Sequence, residues 1–412
     1  MAHKISHPFS SLKHKNYRLF TGGYLISRIG SEMQAVAVAW QIYTLTGSAF
    51  SLGIIGLSRF LPVITLAPVA GIAADKIDRK KIIMVTQILM MVFSLALAFT
   101  TFTKTKNVSP LLIYLLIGLN SLAGVFDTPT RQSYITSLVP AKDFLNAVSL
   151  NVLVFQTAIV LGPSISGFVI AYLGIGSVYL INAVSFLGVI FALMAIRDTK
   201  ALVNNKVSWS LSSLKTGLSF VFKTPIIYST MLLDFFATFF ASATVLLPVF
   251  AKDILNVGPK GLGLLYAASS VGAVTAGIGI SSVKNIKHQG RILIAAILCY
   301  GLATILFGLS RSFYLSLIFL FIAGAGDAVS TIIRNTMRQL ITPDHLRGRM
   351  VAVNMVFFMG GPQLGEAEAG FLAALTGAPL SVVIGGVGTL LATSLISILI
   401  PSLRKYQGGE ES

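Results

Sequence analysis

The sequence contains few charged residues. Asp, Glu, Lys and Arg make up 11% of the 412 residues, whereas they make up about 25% of a typical soluble domain. Apolar residues make up 55%, and the mean hydropathy is +0.83. So much apolar surface cannot be buried in one water-facing core, and the composition therefore excludes a soluble globular protein.

Cysteine and histidine are also scarce. The one cysteine, Cys299, lies within an apolar stretch, which excludes a disulfide framework and a cysteine metal site. The five histidines are scattered without the spacing of metal ligands. The sequence has no paired nucleophile and base and no phosphate-binding loop. We therefore expect no metal and no cofactor, and neither an integral-membrane enzyme nor ATP coupling is supported.

Long apolar stretches follow one another along the chain. Most are about 20 residues or longer, enough to cross ~30 Å of hydrocarbon. We interpret them as helices, because an unclosed strand leaves its backbone unsatisfied in lipid, and the alternating pattern of a membrane β-barrel is absent. The sequence predicts an all-α polytopic membrane protein with twelve transmembrane helices, near 17–45, 50–74, 81–103, 109–136, 146–173, 176–196, 227–250, 261–282, 291–309, 313–339, 349–375 and 380–402.

The basic residues are distributed unevenly along the chain. The net charge is +17, from 31 Lys and Arg against 14 Asp and Glu, which by itself would suit a nucleic-acid-binding protein. Most of the basic residues, however, lie in the N-terminal tail and in every second loop. This positive-inside pattern places both termini in the cytoplasm, as an even number of spans also requires. We expect the lipid bilayer, and no nucleic acid, as a partner.

The most polar internal stretch lies midway along the chain, at 197–226. Its Lys and Arg residues are interleaved with Trp209, Leu211 and Leu214, which predicts an amphipathic helix on the membrane surface; a plain solvated linker is the alternative. The predicted segments are an N-terminal cytoplasmic tail 1–16, a six-helix bundle 17–196, the linker 197–226, a second six-helix bundle 227–402 and a C-terminal cytoplasmic tail 403–412.

The two predicted bundles resemble each other in sequence. At one constant offset, without gaps, the identical pairs are Arg131 and Arg334, Pro140 and Pro343, Asn151 and Asn354, Gly162 and Gly365, Gly167 and Gly370, Phe168 and Phe371, and Gly174 and Gly377. Parallel six-span repeats are a transporter architecture with the binding site at the midplane. The alternative is chance similarity between Gly-rich helices. We expect two pseudo-symmetric bundles.

The loop after the second predicted span carries a specific motif. It reads Gly71-Ile-Ala-Ala-Asp75-Lys76-Ile-Asp78-Arg79-Lys80-Lys81. It resembles the signature loop of the major facilitator superfamily, G-x-L-A-D-R-x-G-R-R/K, with Asp78 in place of the second glycine. The resemblance implies the major facilitator fold and a conformational latch formed by Gly71, Asp75 and Arg79. Alternatively, the basic residues of this loop only fix the topology.

Five further stretches resemble one branch of that superfamily. They are 9–20, 27–30 with Trp40, 45–48, 126–132 and 182–186. They are similar to the drug:proton antiporter-3 branch, which contains macrolide-efflux proteins and enterobactin exporters. The resemblance implies export of a siderophore or a hydrophobic drug, with multidrug resistance as the physiological setting, across a cell inner membrane in exchange for protons. We expect a monomer.

The fifth predicted span contains Gly162-Pro163 and Gly167. This resembles the Gly-rich antiporter motif of exporters, although Thr157 and Ala158 stand where more glycine is usual. Small residues and a proline kink suit a helix that bends or slides during transport. Ordinary packing of small residues is the alternative.

Ionisable residues within the predicted spans are the candidate site. A charge in hydrocarbon is costly, so each is a functional candidate. They are Arg28, Glu32, Arg59, Asp127, Arg131, Asp234, Asp327, Glu366 and Glu368. We interpret them as a polar cavity for substrate and protons. The alternative is a set of structural ion pairs, which is favoured slightly for Asp127, Arg131 and Arg334.

Glu32, with Arg28 beside it, is the first choice for the carboxylate that couples proton movement to substrate movement. They are four residues apart, and so share one face of a helix where they can pair. Desolvation would raise the pKa of Glu32, and Arg28 would oppose that rise. A substrate that displaces Arg28 would therefore release or admit a proton at Glu32, which would couple the two fluxes. Together with Arg59, Arg28 would suit an anionic or catechol-like substrate.

The sequence thus predicts a secondary active transporter that exports a small organic molecule by alternating access. Two other functions stay open. One is an uptake permease for a small nutrient, since direction is implied only by the branch resemblance. The other is a receptor or scaffold without transport activity, which would leave the cavity charges dispensable.

Overall fold

The computed structural model describes residues 10–103, 108–196, 218–283, 286–343 and 346–408. Within these ranges the ordered segments are helical, and no strand is present. The prediction of an all-α fold is confirmed. Most of the predicted linker, residues 197–217, lies outside the described ranges. Residues 218–223 are helical, with Val221 buried against Met231 and Met350.

Twelve long helices lie within the described residues. We number them α1 Lys15–Thr46, α2 Ala49–Lys76, α3 Arg79–Thr103, α4 Pro110–Ser137, α5 Phe144–Leu173, α6 Ile175–Ala195, α7 Pro225–Phe240, α8 Gly258–Ser281, α9 Gln289–Leu309, α10 Phe313–Ile341, α11 Arg347–Thr376 and α12 Ala378–Leu399. Beyond α7 the chain continues through short helical turns, with a π-helical turn at Phe250–Ile254.

Ten segments of the described chain are long and apolar enough to cross a membrane, Pro225–Ile254 being one of them. The other two long helices, α1 and α11, have 32 and 30 residues. Both exceed the ~20 residues that a span needs. Each carries two ionisable side chains in its body, Arg28 and Glu32 in α1 and Glu366 and Glu368 in α11.

The chain divides into two compact units. The first contains Met1–Leu45 and Ser58–Val207, and the second contains Thr46–Leu57 and Ser208–Ser412. The start of α2 therefore groups with the second unit, although the sequence placed it in the first bundle. Glycines explain this grouping, because a Cβ at Gly370 of α11 would overlap the backbone of Gly53. Such close contact between small residues is typical of membrane helices.

The two α-helical repeats share a turn conformation as well as sequence. Gly174 joins α5 to α6 with φ of 84°, and its counterpart Gly377 joins α11 to α12 with φ of 86°. Both values lie in a region where a side chain is strained. The matched glycines therefore occupy equivalent turns, as the internal repeat predicts.

A ladder of polar side chains joins α1 to α3 in the first unit. Each hydrogen-bonded pair is separated by 60 residues along the chain. The pairs are Ser27 with Gln87 at 3.3 Å, Gln34 with Ser94 at 2.8 Å and Gln41 with Thr101 at 3.0 Å. A constant separation means that the helices run parallel in one register. The rungs recur every two helical turns, the period of left-handed helix packing.

Helix α6 contributes a further hydrogen bond to two of these pairs, those of Gln34 and Gln41. The Asn182 amide donates to Gln34 Oε1 at 2.9 Å, and the Tyr179 hydroxyl donates to Gln41 Oε1 at 2.6 Å. Buried polar groups in a membrane bundle need such partners. The α1–α6 contact is close, because a Cβ at Gly23 would overlap the backbone of Gly188.

A short 3₁₀ helix, Ser10–Lys13, packs against the start of α5. Both the backbone N–H and the hydroxyl of Ser11 donate to Asn146 Oδ1, at 3.0 and 2.6 Å. His14 Nε2 lies 2.8 Å from Asp143 Oδ2. One turn into α1, the Tyr17 hydroxyl donates to the carbonyl of Ala147 at 2.9 Å. These contacts anchor the 3₁₀ helix and the start of α1 to the start of α5.

Candidate functional site

Arg28 and Glu32 form an ion pair in α1. Arg28 Nη2 lies 2.6 Å from Glu32 Oε1, and the two side chains are 32% and 20% exposed. The Arg28 guanidinium also lies over the ring of Phe155 in α5, 4.8 Å from its centroid. Arg28 Nε has no hydrogen-bond partner among the described residues. The ion pair is therefore partly exposed, whereas the Nε atom of Arg28 is buried.

Gly162 of α5 provides the space that Glu32 occupies. A Cβ at Gly162 would lie 2.5 Å from Glu32 Cβ and 2.9 Å from the carbonyl oxygen of Ile29. Both distances are shorter than normal non-bonded contacts. The first glycine of the Gly162, Pro163 and Gly167 segment thus sets the approach of α5 to α1. Pro163 lies inside α5, and the bending of this helix stays a prediction.

Arg59 lies in α2 with its side chain half-buried. Its backbone carbonyl accepts a hydrogen bond from the Ser121 hydroxyl of α4 at 2.9 Å. This contact uses the backbone and leaves the predicted substrate role of the guanidinium untested.

Asp127 and Arg131 of α4 form a second ion pair, and this pair is buried. Arg131 Nε lies 2.9 Å from Asp127 Oδ2, with the side chains 8% and 7% exposed. Thr86 and Gln87 of α3 donate to Asp127 Oδ1 at 3.1 and 3.0 Å. The guanidinium stacks on Tyr24 of α1 at 3.9 Å. A fully satisfied buried pair that ties three helices together favours the structural alternative.

A third cluster lies in the second unit around Asp234 of α7. Its two carboxylate oxygens bind Arg334 and Arg338 of α10 at 2.9 and 3.0 Å. Arg338 also donates to the hydroxyl and carbonyl of Thr230 at 3.0 and 2.9 Å. The sequence prediction did not include Arg338 in the site, although this residue lies within the span predicted at 313–339. Its spacing from Arg334, one turn later on the same face, was the available signal.

Arg334 has more donors than partners. It is 2% exposed, and its Nε and Nη1 atoms have no hydrogen-bond partner among the described residues. Asp327, two turns earlier in α10, is half-buried and interacts electrostatically with Arg334. The structure therefore brings Asp234, Asp327 and Arg334 together in one region of the second unit.

Glu366 and Glu368 lie in α11 and are both half-buried. A Cβ at Gly56 of α2 would lie 3.0 Å from Glu366 Cβ, which places Glu366 beside α2. Glu368 lies on a different side of the helix, as a separation of two residues requires. In the described ranges Glu368 has no ion pair.

The predicted latch is only partly described. Gly71 and Asp75 belong to α2, but the structure does not describe the contacts of these two residues. Arg79 Nη1 donates to the carbonyl of Ser133 at 3.3 Å, and Lys80 Nζ donates to that of Ile196 at 2.8 Å. Both cations thus bind carbonyls at helix ends, where they complement the helix dipole. The latch itself stays a prediction.

Among the described residues there is no group of three or more His, Cys, Asp or Glu side chains that could hold a metal ion. Cys299, predicted inside a span, lies in α9. The candidate site therefore consists of ion pairs and hydrogen bonds.

These features define a class of protein: a multi-pass helical membrane transporter of the major facilitator type. The resemblance seen in the sequence is confirmed, because the chain matches the family described as transmembrane secretion effector over residues 6–409. The chain belongs to this family.

Curated relatives of the chain include two kinds of exporter. It is 26% identical over 402 residues to the multidrug efflux pump Tap of Mycolicibacterium fortuitum, covering 92% of this chain and 94% of the relative. It is 25% identical over 400 residues to the enterobactin exporter EntS of Escherichia coli O1:K1 / APEC, covering 96% and 94%.

Solved structures with the same fold include two inward-facing transporters. A bacterial homologue of the human lysosomal transporter Spinster, in an unoccupied state, matches with a TM-score of 0.76 and 16% identity, over 98% of this chain and 100% of that one. A bacterial homologue of the iron transporter ferroportin matches with a TM-score of 0.68 and 16% identity, over 95% and 99%. At such identities the likeness concerns the fold alone.

Proposed function

We propose that the protein exports a small organic molecule from the cytoplasm by alternating access, in exchange for protons. The single observation that carries this proposal is the partial exposure of the Arg28–Glu32 pair. Of the ion pairs described within helices that we assign to the membrane, it is the one with both partners more than a tenth exposed. A costly charge pair left open at bilayer depth suits a water-filled path rather than a structural tie.

Glu32 carries the exchanged proton in this proposal. The substrate and the proton use the same pair of side chains in turn, so that the arrival of substrate at Arg28 and Glu32 releases the proton, as exchange requires. Proton binding and substrate binding are then linked, because each changes the charge that the other meets.

The proposed substrate class is a siderophore or a hydrophobic drug. Relatives named as an enterobactin exporter and a multidrug efflux pump support this class. The site offers two matching groups. Arg28 provides a partly exposed guanidinium for an anionic oxygen, and Phe155 provides an aromatic face beside it. An aromatic anion such as a catecholate would contact both.

The orientation follows from the charge pattern. Both termini are proposed to lie in the cytoplasm, in a bacterial inner membrane, because the basic loops alternate with loops of little charge. The protein is proposed to work as a monomer, with one substrate path in each chain.

Flux through proteoliposomes tests the proposal. Vesicles with an imposed pH gradient would be assayed with enterobactin and with a panel of lipophilic drugs, and the direction of movement would be scored. We expect gradient-dependent movement out of the compartment that corresponds to the cytoplasm, and loss of the gradient dependence in Glu32→Gln. Uptake in the opposite direction would support the permease alternative, and the absence of flux for every substrate class, also without a gradient, would support the scaffold.

A further inference from the structure

The second unit contains an apolar groove at one end of α8, α9 and α10. Its volume is about 390 Å³, and it is lined by Ile280, Val283, Ile286, Lys287, Ile292, Val329 and Ile333. Among the described lining residues, Lys287 is the one that carries a charge, and the remainder are β-branched aliphatic side chains.

The groove runs from a helix end towards bilayer depth. Ile280 is next to the last residue of α8, and Ile292 lies in the first turn of α9. Val329 and Ile333 lie well inside α10, which ends at Ile341. At 1.5 Å per residue, Val329 is roughly 18 Å from that end. The charged opening therefore lies near the membrane boundary, and the apolar floor lies deeper.

Basic side chains are exposed on the described residues near the opening. Lys287, His288 and Arg291 are all exposed. The short helix Pro401–Lys405 packs against the start of α9, where the N–H of Gly290 donates to the carbonyl of Tyr406 at 3.1 Å. That helix adds the exposed Arg404 and Lys405. In the sequence, no acidic residue lies between Asp253 and Asp327.

We propose that this groove binds one anionic phospholipid, with the phosphate at Lys287 and an acyl chain along Ile280, Ile292 and Val329. A lipid fits both parts of the surface. Basic side chains next to a membrane attract anionic headgroups, and an aliphatic groove at hydrocarbon depth accepts a chain of methylenes. An acidic protein would meet the basic rim but would leave the groove empty. The proposal does not depend on the direction of transport or on Glu32.

Photocrosslinking tests this site in the full-length protein. The probe is phosphatidylglycerol with a diazirine near the end of one acyl chain, in phosphatidylcholine vesicles, and labelled positions are read by peptide mass spectrometry. We expect labels on the peptides that carry 280–292 and 329–333. We also expect competition by unlabelled phosphatidylglycerol but not by glycerol phosphate or added phosphatidylcholine.

Two pairs of variants separate the headgroup from the chain. Lys287→Gln should lower labelling about fivefold, the factor expected for one interfacial charge, whereas Arg311→Gln at the opposite end of α9 should not. Ile280→Trp fills the groove and should lower labelling, whereas Ile278→Trp, at a position 62% exposed and not lining the groove, should not. Should Ile280→Trp fail to fold, Val283→Trp takes its place.

Three results would overturn the proposal. One is equal labelling of wild type and Lys287→Gln. Another is labelling at other helices only. The third is equal competition by free glycerol phosphate, which would make the opening an anion site without a lipid.

Discussion

Gly162 lies so close to Glu32 that a methyl group at Gly162 would be 2.5 Å from Glu32 Cβ. The candidate proton carrier is thus positioned by a glycine on a different helix. The sequence singled out both residues, but for separate reasons: Glu32 as a charge in a span, and Gly162 as part of a bending helix. The structure joins them into one arrangement.

Gly162→Ala should therefore impair transport through Glu32. Overpacking of this kind costs about 1–3 kcal/mol, and the shift of α5 would displace the Arg28–Glu32 pair. Flux per folded protein and thermal unfolding in detergent would both be measured. Gly22→Ala is the matched control, because nothing lies within 4 Å of a Cβ at Gly22. Equal flux in the two variants would show that Gly162 does not position the pair.

The two ion pairs of the first unit should respond differently to loss of the carboxylate. Asp127→Asn leaves the buried Arg131 without its counter-charge, which typically costs about 3–5 kcal/mol. Glu32→Gln leaves a partly exposed Arg28 and should cost about 1 kcal/mol or less. Chemical denaturation of the purified variants measures the difference. A loss in Glu32→Gln as large as that in Asp127→Asn would make the Arg28–Glu32 pair structural.

The polar ladder should contribute to the stability of the first unit. Gln34→Leu removes the acceptor of both Ser94 and Asn182, and interhelical hydrogen bonds in membranes contribute about 0.6–2 kcal/mol each. A double-mutant cycle with Ser94→Ala isolates the Gln34–Ser94 bond. A coupling energy of zero would mean that packing, and not the ladder, holds α1 and α3 in register.

Docking of the N-terminal 3₁₀ helix should depend on acid pH. The hydrogen bond from His14 holds the pKa of Asp143 below its usual value of 3.8. A lowered carboxyl pKa gives a contribution that is present above the unfolded pKa and is lost as the pH falls through the folded one. The protection factors of the amides of residues 10–20, which correct for the intrinsic pH dependence of exchange, should therefore be constant near neutral pH and fall towards those of Asp143→Asn only below about pH 4. Identical pH profiles of wild type and Asp143→Asn would contradict this.

Much of the fold follows from the sequence, because lipid restricts the chain to apolar helices. The spans near 81–103 and 313–339 match α3 and α10 closely, and the matched Gly174 and Gly377 adopt the same turn. The partners of polar residues were harder to predict. They depend on which helix faces meet, and α1 and α3 are separated by another helix in the chain. The spacing of Ser27, Gln34 and Gln41 carried that information, but without structure it suggested no partner.

Among the ionisable residues, the pairs within one helix could be predicted from the sequence, whereas the pairs between helices could not. The spacing of Arg28 and Glu32 on one helix was enough to predict their ion pair, and likewise for Asp127 and Arg131. The cluster at Asp234 could not be predicted, because it joins α7 to α10 across a long stretch of chain. Sequence spacing identifies pairs within a helix, whereas pairs between helices require the packing.

Thiol accessibility tests most directly the central claim that the Arg28–Glu32 pair faces water at bilayer depth. In a Cys299→Ser background, Glu32→Cys and Ser27→Cys would be treated with a membrane-impermeant maleimide, with and without enterobactin. Ser27 is the control on the same helix, because it is 3% exposed and bonded to Gln87. We predict that Glu32→Cys is labelled, with protection by substrate, and that Ser27→Cys is not. An unreactive thiol at position 32 in a folded protein would contradict the account.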